Sequence, residues 1–120
     1  ASATLPQRRG LIQALGAMTL LRRIFGKKAQ PTTTEQIAFM LDKNADLGAR
    51  DDVAMALGSS DDPAAEGALI QITLDHNEDE ALIASAVDSL QEIWARHGKF
   101  ETLLVQQMHP AAKKYFMAGT

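Results

Sequence analysis

The chain has no cysteine among its 120 residues. A disulfide framework, a thiolate zinc site and a cysteine nucleophile are therefore excluded, and a reducing cytosol is the default compartment. Aromatic residues are scarce too, at 5%, although hydrophobic residues reach 46%. The core must then come from leucine, isoleucine, alanine and methionine, a composition that favours helices over sheets. No stretch alternates apolar and polar residues over a useful length. The uncharged run Gly10–Leu21 falls short of the roughly 20 apolar residues that cross a bilayer. Arg22, Arg23, Lys27 and Lys28 follow it where a signal peptide would carry small cleavage-site residues.

The signatures of common chemistries are also missing. There is no Gly-x-Ser-x-Gly elbow, P-loop or Gly-x-Gly-x-x-Gly, and no His-x-x-x-His or Glu-x-x-His pair. His76, His97 and His109 read as surface or cap residues. Enzymatic activity, a cofactor and a metal are not expected. Charge is unevenly placed. Residues 1–34 carry six basic side chains and no acid, residues 35–94 fourteen acids against two bases, and residues 95–120 four bases and one acid. Such asymmetry concerns partners rather than fold, and the middle is too acidic for a nucleic-acid footprint.

What is present is helical periodicity. Leu11, Leu15, Met18, Leu21 and Phe25 recur at steps of three and four, predicting an amphipathic helix over 7–25. "PTTTEQIAFML" predicts a second, capped by Thr34 or a neighbouring threonine, with Ile37, Met40 and Leu41 on one face. "DLGARDDVAMALG" follows, with Val53, Ala56 and Leu57 inward and Gly58 as its end. Asp62 and Pro63 form a favoured N-cap and first helical residue for a helix carrying Leu69, Ile70, Thr73 and Leu74. The clearest helix spans 78–97, with Leu82, Ile83, Ala86, Val87, Leu90, Ile93 and Trp94 inward and Gly98 closing it. Residues 99–108 predict another, with Leu103, Leu104 and Met108, and Pro110 opens a short last helix.

Two segments repeat. "GARDDVAMALGSS" at 48–60 aligns with "ALIASAVDSLQEI" at 81–93, so that Val53, Ala54, Ala56 and Leu57 fall on Ala86, Val87, Ser89 and Leu90, 33 residues apart. Each follows an acidic turn and precedes another helix. A two-helix unit cannot bury its apolar faces alone, and stacking such units makes one core.

This pattern resembles the HEAT-like repeats, particularly the short variety of phycobiliprotein lyases. There a turn acid precedes a helix of the form V-R-x-A-A-x-A-L-G, and D-P-x-A opens the next. Here "ARDDVAMALG" (49–58) and "DDPAA" (61–65) match, with Arg50 at the arginine position. The second unit departs, with Ile83 in place of the arginine and Gln91 in place of the glycine. The resemblance covers residues 33–97. It implies an all-α fold, a short right-handed superhelical α-solenoid of six to seven helices in a single domain. Residues 1–30 would be a basic N-terminal cap and residues 98–120 a C-terminal cap.

"LDHNEDEA" (74–81) is dense in ligand-type atoms. It lacks the alternating ligands, central glycine and distal glutamate of a calcium loop. Asn77 with Glu80 three positions on reads as an N-cap pair, and Glu78 and Asp79 suit the first turn of the helix. The functional expectation is a non-catalytic protein-binding module, an adaptor or scaffold. Asp51, Asp52, Asp61, Asp62, Glu78, Asp79 and Glu80 would meet a basic protein surface, with Trp94 an anchor if exposed. A bacterial toxin-neutralising immunity protein is a narrower form of this reading. A membrane-peripheral scaffold is the alternative, held at residues 5–28 by Arg8, Arg9, Arg22, Arg23, Lys27 and Lys28 around the apolar stripe.

Overall fold

The computed structural model describes residues 30–118. The helix expected over 7–25, and with it Arg8, Arg9, Arg22, Arg23, Lys27 and Lys28, lies outside the described residues. Within them six α-helices follow one another with no strand: α1 (Thr33–Leu41), α2 (Leu47–Ala56), α3 (Pro63–Leu74), α4 (Glu80–His97), α5 (Thr102–Gln107) and α6 (Pro110–Ala118). A 3-10 turn, Leu57–Ser59, extends α2.

The first N–H groups of a helix have no partner inside it, so an oxygen just upstream decides where it starts. Thr32 accepts from the Glu35 N–H while Glu35 accepts from the Thr32 N–H, a complete capping box before α1. Of the candidate threonines, the cap is Thr32. Asp46 caps α2 through the Ala49 N–H. Asp62 caps α3 through the Ala64 N–H, with Pro63 in the first turn as expected. Asp79 caps α4 through both the Ala81 and Leu82 N–H groups. This corrects the expected Asn77–Glu80 pair. A carboxylate at the positive end of the helix dipole outcompetes an amide, and the Asn77 N–H is held instead by the Asp75 carboxylate.

The helix ends differ in kind. Gly98 adopts φ 63°, the left-handed cap, and the Gly98 and Lys99 N–H groups turn back onto the Ala95 and Trp94 carbonyls at 3.2 and 3.0 Å. That turn takes Lys99 and Phe100 out of the next helix, so α5 starts at Thr102 rather than 99. Gly58 does not end α2 in this way. It is buried inside the 3-10 turn, pressed against α4.

α4 is the longest helix among the described residues, at 18 residues, and packs against α2, α3 and α6. α1 contacts both α2 and α3, and α5 contacts α6. Val53, Leu57, Leu69, Ile72, Leu82, Ile83, Leu90 and Ile93 form the centre of one continuous core. Each fully buried aliphatic side chain contributes about 1.5–3 kcal/mol relative to exposure. Three rings close the C-terminal side. Trp94 stacks on Phe116 at 5.2 Å, and Phe100 meets both edge-on at 5.7 and 5.8 Å. On α5 Val105 is buried, as is Met108 just past its end, whereas Leu103, expected inward, is 74% exposed. Among the described residues no helix is long and apolar enough to cross a membrane.

Candidate interaction surface

The turn that looked like chemistry occurs twice. Residues 42–46 (Asp-Lys-Asn-Ala-Asp) and 75–79 (Asp-His-Asn-Glu-Asp) have one backbone course, 33 residues apart. In each, the first aspartate accepts from the asparagine N–H two residues on, at 2.9 Å in both. In each, its carbonyl accepts from the N–H three residues on, at 3.1 Å in both. The last aspartate of each caps the next helix. The Leu-Asp-x-Asn-x-Asp pattern at 41–46 and 74–79 was present in the sequence. Aligning only the apolar helix positions passes over it.

The two turns touch. Lys43 in the first pairs with Asp75 in the second. That bond holds the Asp75 carboxyl below its ordinary range and the Lys43 ammonium above its own. Glu78 turns inward, with only 8% of its surface exposed, and meets Arg50, itself 4% exposed. The guanidinium grips both carboxylate oxygens, at 2.9 and 3.4 Å, and its Nε donates to the Met40 carbonyl at 2.8 Å. Arg50 therefore ties α2 to the end of α1 and to the turn before α4.

Glu78 is accordingly not offered to a partner, and neither is Trp94. The indole is 2% exposed, and its Nε1 donates to Glu66 Oε2 at 3.1 Å. Lys99 reaches the same oxygen at 2.8 Å. Burial alone would raise the Glu66 carboxyl, and the bonds from Lys99 and Trp94 overcome it and hold it low. Both residues serve the fold because their partners come from distant segments, which local sequence does not reveal.

The other acidic positions divide by place. Asp79 and Glu80 are exposed at the start of α4, whereas Asp61 and Asp62 are exposed beside its end, where Arg96 reaches Asp61 at 3.6 Å. The two sets stand about 25 Å apart along the helix axis. What links them is the seam between α2 and α4. Asp51 accepts from the Ser85 hydroxyl across it, and Asp52 lies beside Asp51, half-buried. On α4, Asp88 and Glu92 continue the line one turn apart, and Glu92 ends over Gly58. Burial first, then the neighbouring Asp51 charge, raises the Asp52 carboxyl. Burial also raises Glu92, with Arg96 opposing and Asp88 adding to the shift. Sequence reasoning missed Asp88 and Glu92. Their signal was their place opposite the Leu82–Ala86–Leu90–Ile93 stripe.

A shallow cleft of about 260 Å³ lies at the turns, lined by Leu41, Lys43, Gln71, Ile72, Leu74, Asp75 and Glu78. Its charged walls are already paired with one another. Among the described residues no group of three or more His, Asp or Glu side chains is gathered as a metal site. Comparison with family models, curated proteins and solved structures finds no match.

Proposed function

We propose that this chain is a non-catalytic protein-binding module built as a short right-handed α-solenoid of HEAT-like hairpins, working in the cytoplasm. Helices α1/α2, α3/α4 and α5/α6 make three hairpins, and corresponding helices neighbour one another: α1 with α3, α2 with α4, α4 with α6. The repeated turn, with its repeated hydrogen bonds, supports the same reading. In such a stack the second helix of each hairpin lines one face, here the face that carries Asp51, Asp52, Asp88 and Glu92.

The observation that carries the functional reading is the run of carboxylates on this face, with Asp51 held against Ser85 and Glu92 lying over Gly58, and with burial pushing the Asp52 and Glu92 carboxyls up. Carboxylates that burial and like charges disfavour as anions gain most when a cation covers them. A basic protein surface is the matching partner. The immunity-protein reading uses this same surface, with a basic toxin as the partner.

The test is affinity purification from the native host with wild type and with a variant carrying Asp51→Asn, Asp52→Asn, Asp88→Asn and Glu92→Gln. Circular dichroism should show both folded. Wild type should retain a basic protein at low salt and release it at high salt, and the variant should not retain it. Equal recovery by both would reject the surface. Co-expression that fails to protect cells from a neighbouring-gene toxin would reject the immunity version alone.

A further inference from the structure

We infer that the docking of α6 is acid-labile, and that His109 is the group that senses the proton. The side-chain caps of α1 to α4, Thr32, Asp46, Asp62 and Asp79, are oxygen acceptors. α6 starts instead from an imidazole. His109, 9% exposed, accepts the Ala111 N–H on Nδ1 at 2.9 Å. A ring nitrogen that accepts carries no proton, so this bond exists only with the neutral, Nε2-protonated ring. Pro110 has no N–H to offer and the Lys113 N–H is held by the His109 carbonyl at 3.1 Å, so one side-chain bond does most of the capping. Uptake of a proton on Nδ1 removes the acceptor and places a cation at the positive end of the α6 dipole.

The groups around the ring act in both directions. From the turn before α4 come the His76 ring, 6.0 Å away between centroids, and the Asp75 carboxylate, near enough for the His109 charge to lower it. His76 Nε2 donates to the Gln107 carbonyl ahead of α6 at 3.1 Å, and a second positive imidazole opposes the first. Asp75 favours an imidazolium, but Lys43 already holds it. Glu78, in the same turn, is taken by Arg50. α3 contributes the Thr73 carbonyl, which accepts the His109 N–H at 2.8 Å, and α6 itself adds the Lys113 cation. Whatever attraction Asp75 exerts acts on a ring that can no longer cap, so it draws the ring off Ala111.

The consequence falls on the aromatic cluster. α6 carries Phe116, which covers Trp94, the one tryptophan of the chain. Loosening α6 uncovers an apolar face and alters the environment of a natural fluorophore.

Hydrogen exchange of the α6 amides at pH 7.5 and pH 5.0, corrected for the intrinsic pH dependence of exchange, tests this. In wild type the opening equilibrium of α6 should rise about tenfold at the lower pH, the effect of losing one cap, while α3 changes little. Trp94 emission should shift to the red in parallel. His109→Asn retains a neutral acceptor at the cap and should abolish the rise, whereas His76→Gln should keep it. An unchanged wild type would overturn the inference. So would a rise that survives in His109→Asn, or one that disappears in His76→Gln.

Discussion

The turns at 42–46 and 75–79 share a backbone and differ in what they do with it. Asp, Asn and Asp recur at the same three places, the first aspartate makes the same bond to the asparagine N–H, and the last caps the next helix. The two positions between them vary: Lys43 and Ala45 in the first turn, His76 and Glu78 in the second. Those variable positions make the long-range contacts. Lys43 reaches forward to Asp75, Glu78 reaches back to Arg50, and His76 reaches forward to Gln107. A repeated frame sets the geometry, and the side chains set between its fixed points join one unit to the next.

The comparison breaks most severely at Glu78. Glu78→Ala should lose about 3–5 kcal/mol, because it strands the buried Arg50 charge. Denaturant midpoints would show it, and adding Arg50→Met should recover much of the loss. A Glu78→Ala protein with wild-type stability would mean that the pair is not desolvated.

The next contrast is Gly58 against Gln91, the same position in the two units. A Cβ on Gly58 would lie 2.8 Å from Ser89 Oγ, 2.9 Å from Glu92 Oε2 and 3.1 Å from the Ser89 Cα. Two of these atoms can swing away but the backbone cannot. Gly58→Ala should therefore cost about 1–3 kcal/mol, while Gln91→Ala, exposed on α4, should stay within about 0.5 kcal/mol. Thermal melts of the two variants decide it.

If the two turns really share one frame, their caps are equivalent. Asp46→Ala and Asp79→Ala should each cost about 1 kcal/mol. A gap larger than the cap itself, measured by urea unfolding, would show that the frames differ in energy though not in shape.

The smallest effect belongs to Lys43→Ala, since the ammonium is exposed and salt screens it. Its sign with pH is still definite. The lowered Asp75 carboxyl contributes above its unfolded pKa and loses that contribution as pH falls through the folded value. The raised Lys43 ammonium contributes below its unfolded pKa and loses that as pH rises through the folded value. The difference between wild type and variant should therefore be flat near neutrality, fade at both extremes and shrink in high salt.

Local rules made much of this fold legible. Apolar steps of three and four marked α1 to α4, Asp62–Pro63 marked the start of α3, Gly98 marked the end of α4 and Pro110 marked the start of α6. These depend on neighbours within a turn or two of chain. The failures needed longer reach. Gly58 reads as a helix stop, yet its role is the close approach of Ser89 on α4. Asn77 reads as a cap until Asp79 competes for the same N–H groups. Leu103 reads as core until α5 shortens and turns it outward.

The sequence by itself determined the helical class, the 33-residue spacing and the acid content of the middle of the chain, because periodicity, turn chemistry and charge are properties of consecutive residues. Only the tertiary structure decided which acids are used up. Glu78 goes to Arg50, Asp75 to Lys43 and Asp51 to the Ser85 hydroxyl, whereas burial raises the Asp52 and Glu92 carboxyls. The physical reason is that a carboxylate's cost depends on burial, and that the partners of Glu78 and Asp75 come from 28 and 32 residues away, which no local pattern encodes.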